Sequence, residues 1–164
     1  MSAMRLAVLA AGLASALAIG AQAADAPAAP AAQPAQPEYH PSFGDLMTFA
    51  VQPRHIKLGV AGHARNWTYA AYEASELRNA FARIGRTIPS YRKQVLADMF
   101  ASAIAPQLDE LDAAIKANSG PRFDAAYSKV TAACNTCHAA LEHPYVVIRE
   151  PQASPYADQD LTGR

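Results

Sequence analysis

Apolar side chains recur at steps of three and four along most of this chain, the spacing that gathers one face of an α-helix. The first run extends from about Ser42, a candidate N-cap, to about Arg65, with Leu46, Phe49, Ala50, Pro53, Ile56, Val60 and His63 in one stripe. A second face of the same segment carries Met47, Val51, His55, Leu58 and Gly62. Pro53 is expected to kink it, because an interior proline removes a backbone hydrogen bond. Asn66 reads as the cap of a second helix, in which Trp67, Ala70, Ala74, Leu77, Phe81 and Ile84 alternate the two steps. Gly85 is expected to end it.

The turn Thr87-Ile88-Pro89-Ser90 leads to a third stripe of Leu96, Phe100, Ile104, Leu108, Leu111 and Ile115, closed by Asn118-Ser119-Gly120. Pro106 falls inside it, so the pattern predicts either one kinked helix or two short helices in line. A fourth segment opens at Ser119-Gly120-Pro121 and spaces Phe123, Tyr127, Val130, Cys134, Cys137 and Leu141 as a seam. Both cysteines are therefore expected to face the interior, with His138 one turn beyond Cys134 on nearly the same face. Pro144, after His143, disfavours further helix. No Asn-Gly hairpin signal interrupts the pattern, and strand-like sequence is confined to Tyr145-Val146-Val147-Ile148. Four helices with short loops predict an all-α fold, an antiparallel up-down-up-down four-helix bundle over residues 42–143. The tail, residues 144–164, is expected to pack on or over it, pinned by Val146 and Ile148.

The amino-terminal part reads differently. Residues 1–23 carry Arg5, the apolar run Leu6 to Ile19 and the small-residue triplet Ala21-Gln22-Ala23, the plan of a secretory signal peptide cleaved near Ala23. Its apolar core is too short for a transmembrane span, and it holds no Cys for lipidation. The mature chain is thus expected to have no transmembrane segment and to work outside the cytoplasm. Residues 24–41 place Pro27, Pro30, Pro34, Pro37 and Pro41 among alanines and glutamines, a composition for a disordered linker. About 120 residues remain, one domain's worth. The 14 basic and 14 acidic side chains balance, and loss of Arg5 with the leader leaves 13 against 14. Nothing in that balance points to nucleic acid.

The chemistry is concentrated in Cys134-Asn135-Thr136-Cys137-His138, which contains both cysteines of the chain. Two thiols three apart with an imidazole directly behind them is the spacing that attaches haem c. The thiols add across the two vinyl groups of one porphyrin, and the His offers a ring nitrogen to the iron as proximal ligand. A dithiol redox motif would need a strand-rich setting and has no use for that His. No carboxylate pair, nucleophile with its base, or phosphate loop is legible, so an enzyme built from side chains finds no support.

A helical bundle with CxxCH near the end of its last helix resembles the class II cytochromes c, the cytochrome c prime family and its low-spin relatives. The likeness covers roughly Ser42 to His143, and its specific part is the motif and its position. It implies haem attachment beyond the inner membrane, hence a periplasmic protein, and a homodimer formed through the first two helices. It also implies that the sixth iron position is either filled by a Met near the start of the first helix or left open. The first state gives an electron carrier that serves redox partner proteins. The second gives a five-coordinate iron that binds a diatomic gas such as nitric oxide or carbon monoxide.

Geometry ranks the candidates for that sixth position. If the last helix ends near Glu142, His138 lies about 6 Å from its end at 1.5 Å per residue, and in an antiparallel first helix Met47 is at the facing level. His55 is about 12 Å deeper but shares Met47's face, and imidazole is a good haem ligand. Met47 has the competing reading of a core-filling methionine. His63 reads as core-edge or surface, and His40 and His143 as solvated. Arg54 and Lys57 are either partners for haem propionates or ordinary solvent-facing charge. Trp67, Tyr69, Tyr72 and Phe81 pack on the porphyrin or on one another. The resulting expectation is a monohaem c-type cytochrome that carries single electrons, its iron held by His138 and Met47, with the five-coordinate gas binder as the alternative.

Overall fold

A computed structural model describes residues 38–163 of the chain. The expected signal peptide and all but the last residues of the expected linker lie outside the described residues. Ser42 begins the helical part by a reciprocal cap: its hydroxyl accepts the Asp45 N–H at 3.1 Å, and the Asp45 carboxylate accepts the Ser42 N–H at 2.9 Å. This opens α1 (Phe43–Leu46), which continues through a π turn (Met47–Val51) into α2 (Gln52–His63). Pro53 explains the wider turn. It lacks an N–H, and its ring would strike the carbonyl four residues back in regular α geometry. The Gln52 N–H bonds the Met47 carbonyl across five residues, so the disturbance expected at Pro53 is absorbed one turn earlier, starting at Met47.

Asn66 caps α3 (Trp67–Thr87) by accepting the Tyr69 N–H. The helix runs past Gly85, which is therefore not its stop. A β-carbon at Gly85 would stand 3.3 Å from Ala97, so the missing side chain lets the next helix approach. Between them lies a minimal hairpin that the pattern did not predict: β1 (Ser90–Tyr91) pairs antiparallel with β2 (Gln94–Val95). Its two-residue turn holds Arg92 and Lys93 at φ 45° and 65°. Such turns normally advertise themselves by Asn-Gly, and two long basic residues give no such signal.

The third stripe forms two helices, α4 (Leu96–Ala103) and α5 (Ala105–Lys116), which meet at Ile104 with Pro106 in the first turn of α5. That position tolerates proline because its N–H would have no intrahelical partner. Asn118, at φ 50°, closes α5, and α6 (Gly120–Ala140) follows. At its far end the His143 N–H bonds the His138 carbonyl at 2.7 Å around Glu142 at φ 62°, so the helix ends just beyond the Cys134–His138 segment.

The described residues are thus mainly helical. α2 packs on α3 and α6, and α5 packs on α3 and α6. Leu58, Leu77, Ile84, Leu108, Leu111, Phe123, Tyr127 and Val130 fill the space between them, each with almost no exposure. Gly59 and Gly62 bring α2 against α6: a β-carbon at Gly62 would fall 1.8 Å from the Phe123 ring, and one at Gly59 2.4 Å from the Tyr127 hydroxyl. The tail returns along α6 in the opposite direction. Val146 meets His138, Ile148 meets Asn135 and Glu150 meets Ser128. It then crosses α2 at Gly59 and Lys57 and ends with Leu161 buried and its carbonyl bonded to Asn66. No described helix is long and apolar enough to cross a membrane.

Candidate functional site

Cys134 and Cys137 lie on the inner face of α6, both free and both only 8% exposed. Burial, with the neighbouring Cys137 adding to it, pushes the Cys134 thiol up to about 12, and burial raises Cys137 as well. Thiols held protonated in this way are the opposite of the low-pKa thiolate that a disulfide-exchange centre uses.

Two small cavities share Met47, Cys134 and His138 in their walls. One, of about 100 Å³, is completed by Thr48, Val51, Gln52, His55, Val146 and Ile148. The other, of about 20 Å³, is completed by Phe43, Phe81, Phe100, Ile104, Cys137 and Leu141. The π turn thus delivers Met47 to the same space that the end of α6 delivers the thiols and the imidazole. The lining is mostly apolar, which suits a porphyrin. Both volumes are smaller than that macrocycle, so its seating requires these side chains to part. Phe81, Phe100 and Ile104 also wall a wider groove of about 260 Å³ rimmed by Arg78 and Arg86. That groove holds no thiol or imidazole, so the chemistry stays with the narrower space.

His138 is oriented by the tail. Its Nδ1 lies 2.7 Å from the Val146 carbonyl oxygen, which can only accept. Nδ1 therefore carries the proton, and in the neutral ring Nε2 keeps its lone pair for a metal. Among the described residues no three His, Cys, Asp or Glu side chains gather as a metal site of their own. A porphyrin brings its own equatorial nitrogens and asks the protein only for axial ligands.

His55 lines the same space but has both ring nitrogens engaged. Nε2 is 2.9 Å from the Thr131 hydroxyl and Nδ1 is 3.1 Å from the Tyr127 hydroxyl, which also donates to the His55 carbonyl at 2.8 Å. The Tyr127 ring stacks on it at 4.9 Å. To bind iron, His55 would have to give up one of these bonds. Burial lowers its pKa from 6.5 to about 4, so the folded protein holds it neutral. The unfolded chain then binds the proton more readily. His55's contribution is complete above about pH 6.5 and is lost as pH falls through 4, a swing of about 3 kcal/mol at 1.36 kcal/mol per pKa unit. Urea midpoints measured between pH 7 and pH 4 should fall accordingly, and less in His55→Gln.

The remaining expectations divide. His63 is an edge residue, its Nδ1 3.1 Å from Asp124. His40 is exposed. His143 is not simply solvated: it is half-buried, with Nε2 3.0 Å from the Tyr91 hydroxyl and Nδ1 2.8 Å from that of Tyr145. Arg54 turns to Glu73 and Glu76, and Lys57 lies over the Tyr156 ring at 4.6 Å, so neither lines the candidate site. Of the four aromatics only Phe81 reaches the site. Trp67 packs on Phe123, and Tyr69 on Tyr72. Phe43 was absent from the predicted stripes, although its spacing of four from Met47 and of eight from Val51 carries the signal. Nothing in the spacing announces the Val146 carbonyl.

No family model, curated protein or solved structure matches this chain.

Proposed function

We propose that this chain is a monohaem c-type cytochrome, a periplasmic carrier of single electrons built as a four-helix bundle. The observation that supports the reading is the convergence of Met47 with Cys134, Cys137 and His138 on one apolar space. When bound, the haem supplies the one-electron couple of its iron.

The chain's own groups do the rest. Cys134 and Cys137 would hold the macrocycle as thioethers, an addition of each S–H across a vinyl group that needs no leaving group. His138 would hold the iron through Nε2, which the bond from Nδ1–H to the Val146 carbonyl leaves unprotonated in the neutral ring. Met47, in the wall of the same space, would offer a soft thioether as a second protein ligand. Phe43, Phe81, Phe100, Ile104 and Leu141 exclude water, and a drier surrounding shifts the balance between the two charge states.

Replacing Met47 by Ala separates this reading from the five-coordinate gas binder. In a carrier the variant should lose its sixth ligand, turn from low to high spin and begin to bind carbon monoxide, all read from absorption. Unchanged spectra would move the sixth ligand away from Met47. A wild type that is already high-spin and takes up carbon monoxide would favour the gas binder.

A further inference from the structure

Asn135 stands between the two thiols, a position in which the attachment chemistry makes no use of a side chain. Its amide nevertheless forms a two-pronged contact with the tail. Oδ1 accepts the Ile148 N–H at 2.7 Å, and Nδ2 donates to the Ile148 carbonyl at 3.0 Å. Only one orientation of the amide satisfies both, since a flip would set donor against donor and acceptor against acceptor. Two residues earlier in the tail, the Val146 carbonyl takes the Nδ1 proton of His138. Asn135 and His138 are three apart on α6 and so sit on neighbouring positions of one face.

Packing does little to hold Val146 and Val147. Val146 is 41% and Val147 61% exposed, while Ile148 is half-buried. On the other side of Val146 the chain is fixed at His143, by its N–H to the His138 carbonyl and by the Tyr91 hydroxyl. From His143 to Ile148, then, the backbone is held at both ends, with a turn between them in which the Val146 N–H bonds the His143 carbonyl at 2.9 Å. The far end is held by the two Asn135 hydrogen bonds together with the packing of the Ile148 side chain against the core.

We infer that Asn135 is a positioning residue for His138, acting through the tail: it clamps Ile148 so that the Val146 carbonyl holds the imidazole by Nδ1 and presents Nε2. The inference rests on the axial role proposed for His138. A His that donates Nδ1–H to a carbonyl is a more basic ligand and favours the oxidised iron, so the tail becomes part of what sets the reduction potential.

The test uses the full exported chain, its Asn135→Leu variant and Ser128→Ala, which loosens the tail further along at Glu150. Solvent exchange of the Ile148 amide proton and the His138 Nδ1 proton is followed by NMR, and the reduction potential by titration. In N135L both protons should exchange about tenfold faster or more, and the potential should rise. S128A should change neither. Asn135→Ser, whose hydroxyl reaches one partner but not both, replaces N135L if that variant fails to fold. If the Ile148 proton is unaffected, or exchanges faster while the His138 proton and the potential stay at wild-type values, the inference is overturned and the proposed function stands. If the chain carries no haem the proposed function falls, and the two exchange rates still decide whether Asn135 governs the His138 contact.

Discussion

Replacing Cys134 and Cys137 together by Ser is expected to abolish covalent haem altogether. Thioether bonds survive denaturation, so the wild-type chain run on a denaturing gel should stain for haem, and the double variant should not stain at all. Serine cannot substitute, because the bond is made by sulfur. Single variants should retain one link and stain weakly. The thiols also sit in the wall of the core, where each is only 8% exposed. A hydroxyl placed there brings a modest folding cost of its own, about 1–3 kcal/mol for a buried polar group without a partner. Circular dichroism of the double variant separates the two effects: helix retained with haem lost is the expected pair of results. A wild-type chain that is exported, folded and unstained would leave a helical protein with two thiols and remove the cytochrome reading.

The largest effect on stability is expected at Arg54. Glu73 is a fully buried carboxylate on α3, and Arg54 reaches it from α2 with Nη1 3.1 and 3.3 Å from its two oxygens. The Tyr69 hydroxyl also bonds Glu73, and burial, with that bond adding to it, pushes the Tyr69 phenol up to about 12. Arg54→Ala would leave the carboxylate in the interior with one neutral donor; because Arg54 is itself 30% exposed, the cost is expected at or below the low end for breaking a buried pair, about 3 kcal/mol. Removing both charges is a different matter, because apolar side chains of similar volume avoid the desolvation penalty. Arg54→Met with Glu73→Leu should therefore recover most of the loss. Urea denaturation measures all three proteins. A double variant less stable than Arg54→Ala would show that the pair contributes more than it costs to bury.

Helix starts were legible because caps are local. Ser42 with Asp45, and Asn66 before Trp67, act within three residues. Helix ends and breaks were less so. Gly85 looks like a stop, yet what it serves is the approach of Ala97, a contact made by another helix. Pro106 allowed two outcomes, and the structure takes the one with two helices. The hairpin at residues 90–95 escaped because Arg92 and Lys93 adopt left-handed backbone without the residues that favour it.

Within the candidate site, the level of Met47 followed from helix rise alone, since Ser42 and the end of α6 bracket it. His55 shared its face, but its partners, Thr131 and Tyr127, come from α6 and leave no mark in the spacing around residue 55. The same holds for Arg54, whose pairing with Glu73 depends on how α2 meets α3. Contacts within one helix can be read along the chain, whereas those that decide which nitrogen or which charge is free are made between elements.

The most direct test of the central claim is the absorption spectrum of the exported protein, oxidised and reduced, with and without carbon monoxide. A haem held by His138 and Met47 predicts sharp reduced bands that ignore carbon monoxide, and a weak near-infrared band of sulfur ligation in the oxidised form. Broad high-spin bands that sharpen under carbon monoxide, or no haem absorption at all, would contradict it.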